Sequence, residues 1–167
     1  MQEGSLLVLP GPWTTGFVLH APLRLRSKSN FRRSHRGSDS AWSDASSFER
    51  DLGLLVRQHR PAAWDLGDPD KPLAERPVVV SFIAARSTID VANFSKSVLD
   101  ALEGVLYVSD ASVLASGAVG SRGRTDSSLF LGFAQLGSGA GPVDAAAALA
   151  ALGCAVTAEF AASSASS

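Results

Sequence analysis

The run at 77–85, PVVVSFIAA, constrains what this chain can fold into more than any other stretch. It carries no charge and is rich in β-branched side chains, so it reads as a strand well buried in a sheet. Such a strand needs cover, and the chain supplies it at once. Ser87 is placed to cap a helix, with Asp90 at the capping-box position. From 90 to 103 the apolar residues Phe94, Val98, Leu99 and Leu102 recur at helical spacing, and Gly104 ends the helix. Asn93, Lys96 and Asp100 follow Asp90 at spacings of three and four, so they share one face, apart from the packing side. A polar stripe that burial does not require is free for chemistry. Beyond Gly104, 105–108 reads as a short strand, 109–111 as a tight turn holding Asp110, and Val113 and Leu114 as the start of a returning strand.

The remaining chain reads around this unit. Residues 1–15 hold Pro10, Gly11 and Pro12 and read as a flexible leader. A first strand is expected at 17–20. The segment from Arg24 to Arg36 has almost no apolar content after Leu25 and reads as an exposed loop. Residues 43–59 place Phe48, Leu52, Leu55 and Val56 at helical spacing, and Pro61 stops that helix. A Pro-, Gly- and Asp-rich connection follows at 62–75; Trp64 within it should pack, with nothing local to say where. Residues 117–127 read as a flexible loop with Arg122 and Arg124, and 128–136 as a last strand. After Gly137 the composition turns to Ala, Gly and Ser, so 137–167 is expected to be a tail, partly helical or disordered.

Charge distribution says more than net charge, which is −1 over 167 residues. Between Gly4 and Ser38 there is no acidic residue, and Arg24, Arg26, Lys28, Arg32, Arg33 and Arg36 lie within that span. Arg and Lys neutralise nucleic-acid phosphates and release counterions, so the segment is a candidate phosphate-contacting arm; a solvated charged loop is the plainer alternative. The single cysteine, Cys154, rules out an internal disulfide and a cysteine-rich metal site. The N-terminal Leu-Leu-Val-Leu run is too short to span a membrane, and no basic segment precedes it. A cytoplasmic protein with no membrane role is expected. No P-loop, Gly-x-Ser-x-Gly or His-Glu-x-x-His motif occurs.

The stretch 87–113 resembles the RusA family of Holliday-junction resolvases. The matching residues are Asp90, Asn93, Lys96, Asp100 and Gly104, then Asp110, Ala111 and Val113. The chain departs from the family pattern at three polar positions: Ala92 and Ser109 stand where Asp is expected, and Ser112 where Gln is expected. The resemblance implies an α+β fold, a small mixed β-sheet with two main helices packed against it, over residues 16–136. It implies a metal-dependent endodeoxyribonuclease that cleaves four-way junctions or other branched DNA as a homodimer. The implied cofactor is Mg²⁺, or Mn²⁺. Asp90, Lys96 and Asp110 take the catalytic positions, Asp90 and Asp110 the metal-binding ones, and Asn93 and Asp100 supporting ones. The basic arm and Lys96 would contact DNA.

Other readings stay open beside it. Singly, Asp90 is an ordinary helix-start residue, Lys96 and Asp100 an ordinary surface ion pair, and Asp110 an ordinary turn residue. A methyl group at Ala92 cannot bind metal, which points to a second reading: a protein that binds structured DNA without efficient cleavage. A third is a small α/β protein with no DNA role.

Overall fold

The computed structural model describes residues 5–24, 38–64, 77–85, 91–122 and 127–165. It is an α+β protein built on one five-stranded mixed sheet. The strands are β1 (Ser5–Val8), β2 (Thr15–Ala21), β3 (Val78–Ala85), β4 (Val113–Ser121) and β5 (Ser128–Gln135). The helices are α1 (Ser38–His59), α2 (Val91–Leu102) and α3 (Pro142–Ala165). Strand order across the sheet is β1-β2-β5-β3-β4. Strand β3 is parallel to β4 and antiparallel to β5, so β3, α2 and β4 form a parallel crossover beside antiparallel neighbours.

The apolar run at 77–85 lies where its composition demands. Every residue of β3 is buried, and so is every residue of its neighbour β5. Alternate side chains of the central strands feed two cores. One face carries Phe17, Leu19, Val80, Phe82, Leu131 and Phe133 against Phe48, Leu52 and Val56 of α1 and Phe94, Val98 and Leu102 of α2. These are the positions that set the helical periodicity in the sequence.

The opposite face carries the largest departure from the sequence reading. The segment expected as a tail forms α3, which packs Ala145, Ala148 and Leu152 against Val79 and Ala134, and Val156 against Val18, Ile83 and Phe130. Among the described residues three helices therefore cover the sheet, two on one face and one on the other. The buried positions 145, 148, 152 and 156 do repeat at helical spacing, but alanine fills half of them and masks the stripe. By length and composition α3 would also suit a membrane, yet it lies along the sheet. Gly132 on β5 lets it approach: a Cβ there would stand 2.6 Å from Val156 Cγ2.

Three smaller differences follow from tertiary context. Within the span read as a leader, Ser5–Val8 pairs antiparallel with β2 as an edge strand. Residues 105–107 are not a strand. They fold back under α2, with the Gly104 amide donating to the Tyr107 carbonyl at 2.7 Å and Gly104 at φ 71°. Val105, Leu106 and Tyr107 are apolar because this turn is buried. Finally, β4 runs on to Ser121 through Gly117 and Gly120, residues that had suggested a loop.

Candidate functional site

Helix α2 sorts its residues as the spacing requires. Phe94, Val98 and Leu102 are fully buried, with Ser97 and Ala101 beside them. On the opposite side Lys96 is exposed, and Asn93 and Asp100 are half-buried. The structure brings Lys96 and Asp100 together, with Nζ 3.5 Å from Oδ1 one turn on. The Lys96 side chain is 72% exposed, so solvent screens this pair and the ammonium stays available to an incoming anion.

Asp110 opens a short 3₁₀ turn, Asp110–Ser112, that delivers the chain into β4. Its carboxylate is exposed. The buried turn that precedes it, at 104–107, is held by side chains from a distant segment. Trp64 Nε1 donates to the Leu106 carbonyl at 2.9 Å, and Arg60 Nη1 donates to the Val105 carbonyl at 2.6 Å. Trp64 also meets the edge of Phe17, with ring centroids 5.4 Å apart. Tyr107 is buried and donates its hydroxyl to the Leu99 carbonyl. Burial pushes its phenol well above the ordinary range, and the carboxylates of Asp110, Glu103 and Asp100 push the same way. Asp110 thus shares its surroundings with Asp100 and Glu103, all three near the Tyr107 ring.

Val91, which directly follows Asp90, opens α2 at the end away from this turn. Twelve helical residues separate the two ends, about 18 Å at the rise of an α-helix. Asp90 itself lies outside the described residues, as do Arg26, Lys28, Arg32, Arg33 and Arg36 of the basic arm. Arg24 is described and exposed.

The donor set decides what this region can hold. Mg²⁺ takes oxygen ligands, commonly one or two carboxylates with several waters. Asp110 and Glu103 are exposed and Asp100 is paired with Lys96, while Ala92, near the other end of α2, presents only a methyl. Among the described residues no three His, Cys, Asp or Glu side chains come together to hold an ion. The described residues therefore do not by themselves fit a magnesium site. What they build is a helix face carrying the exposed Lys96–Asp100 pair, followed by a carboxylate-bearing turn.

Sequence reasoning expected Trp64 to pack without saying where, as it does, and missed Arg60 and Tyr107, which help position the turn. Tyr107 had a signal: the one tyrosine of the chain sits in an apolar run, where its hydroxyl needs a partner. The partner of Trp64 had none, because it lies 42 residues away. Compared with models of known protein families the chain matches none, and no curated protein matches it.

Proposed function

We propose that this protein acts on branched DNA in the manner of the RusA-like resolvases, as a cytoplasmic endodeoxyribonuclease that hydrolyses a phosphodiester bond at a four-way junction. The observation that carries the reading is the β3-α2-β4 unit. It folds the motif residues so that Asn93, Lys96 and Asp100 line one side of α2. The same unit ends on an exposed Asp110. Lys96 is the group for the scissile phosphate or its neighbour, since an exposed ammonium offers a point charge to a phosphoryl oxygen. Asn93 orients that phosphate. Asp110 is the carboxylate that this surface offers to the reaction; Mg²⁺, with Asp90 as a second ligand, is what the resemblance calls for. The arm holding Arg24, Arg26, Lys28, Arg32, Arg33 and Arg36 supplies charge to the DNA backbone without reading sequence.

The exposed methyl of Ala92 supports a second reading: a protein that keeps the DNA-binding surface and cuts poorly or not at all. Metal-dependent nicking of a synthetic four-way junction separates the two. Paired nicks that vanish in Asp110→Asn support the nuclease. Salt-sensitive binding without nicks supports the binding protein. Neither nicks nor salt-sensitive binding overturns both.

A further inference from the structure

Strand β4 is an edge of the sheet, paired with β3 on one side only. Edges of soluble proteins are commonly blunted by charge, proline, shortness or a bulge, because an unpaired edge templates another strand. Over nine residues, VLASGAVGS, β4 has neither charge nor proline. A single register shift, between Val78 and Val79 of β3, falls at Leu114 and leaves Ala115–Ser121 regular against β3. Among the described residues, no hydrogen bond or strand pairing engages the outer edge of this stretch.

The side chains of this regular stretch are self-complementary. Val119 pairs with Ile83 and Gly117 with Ser81, which places both on the sheet face covered by α3. Val119 is 56% exposed, high for a β-branched strand residue. Gly117 is a notch on the same face, floored by backbone and walled by α3, since a Cβ there would stand 3.3 Å from Leu149 Cδ1. Maximal antiparallel overlap of Ala115–Ser121 with a copy of itself puts a two-fold axis through Ala118. In that register Val119 of each copy lies directly opposite Gly117 of the other, and Ser116 opposite Gly120. Each knob meets a notch, twice by symmetry. Arg122 falls opposite Leu114, so no like charges are brought face to face.

We propose that β4 is a homodimerisation edge, two copies pairing antiparallel about Ala118 with each Val119 seated over the Gly117–Leu149 notch of the other. The product is a continuous ten-stranded sheet. Because the axis is perpendicular to the sheet, both α2 helices come to one face, flanking the axis. This surface is read from the strand itself and does not depend on the DNA reading: a dimer with no nuclease activity leaves it intact.

The test uses the full chain. Sedimentation equilibrium should give the dimer mass, and Val119→Lys should return a monomer with an unchanged circular dichroism spectrum, whereas Val143→Lys, on exposed α3, should leave the dimer. In a Cys154→Ser background, Ala118→Cys should give a covalent dimer on mild oxidation, because opposed residues in an antiparallel pair lie about 4.5–5.5 Å apart at Cα. Val143→Cys should not. A wild type that stays monomeric at tens of micromolar overturns the proposal. So does a dimer that persists in Val119→Lys while Ala118→Cys fails to cross-link.

Discussion

The Tyr107 hydroxyl donates a 2.6 Å hydrogen bond to the Leu99 carbonyl, eight residues earlier in the chain. That bond ties the buried turn after α2 to the helix that bears Lys96 and Asp100, and it fixes the base from which Asp110 projects. Leu99 also accepts from the Glu103 amide, so its carbonyl keeps a partner if the phenol is removed. Tyr107→Phe should therefore cost about 1 kcal/mol, the net value of one hydrogen bond. Urea denaturation of the two proteins reads this difference.

The same residue sets an alkaline limit on stability. Tyr107 is held protonated above its ordinary value of 10.0, chiefly by burial and then by Asp110, Glu103 and Asp100. The folded state thus binds the proton more tightly than the unfolded state. Its contribution is whole below the unfolded value and is lost as pH rises beyond it. Denaturation midpoints should hold up to about pH 10 and fall above it, and the fall should shrink in Tyr107→Phe. With one tyrosine in the chain, ultraviolet titration reports Tyr107 alone. Asp110→Asn should move that titration toward lower pH.

Packing of α3 against the sheet is tested at Gly132. An added methyl would meet Val156 Cγ2 at 2.6 Å and Leu152 Cδ2 at 3.2 Å. Gly132→Ala should destabilise by about 1–3 kcal/mol, as overpacking does. An unchanged thermal midpoint would mean that α3 is not seated on β5.

Gly104→Ala probes the turn by a different route. Nothing lies within 4 Å of the position a Cβ would take, so sterics contribute little. The left-handed conformation at φ 71° remains, and an L-residue there costs about 1–2 kcal/mol. Gly104→Asn, which tolerates that region better, should recover part of the loss.

The sequence made the sheet centre and its first two helices legible because large apolar residues mark them. Phe48, Leu52 and Val56 on α1, and Phe94, Val98 and Leu102 on α2, are buried as their spacing implied. Where small residues do the packing, the pattern went silent. Ala145 and Ala148 hold α3 to the sheet, and Gly117 and Gly120 lie within β4, yet from composition the first segment read as a partly helical or disordered tail and the second as a flexible loop. Val105, Leu106 and Tyr107 misled in the opposite direction, since a buried turn and a short strand share the same apolar run. In the candidate site, the stripe on α2 was readable from spacing alone. The partners of Trp64 and Arg60 were not, because both bonds join segments more than forty residues apart.

Ala92 sits at the second position of α2, on the exposed side. Ala92→Asp should stabilise the helix by about half a kcal/mol, since a carboxylate in the first turn favours the macrodipole. It also restores the acid that the RusA-like pattern expects, so junction nicking should rise while stability does not fall.

Incubating a synthetic four-way junction with the protein and Mg²⁺, with Asp110→Asn as the control, tests the central claim most directly. Paired nicks from the wild type that disappear in Asp110→Asn are the predicted result. No nicks from the wild type or from Ala92→Asp, together with no junction binding that weakens with salt, would contradict it.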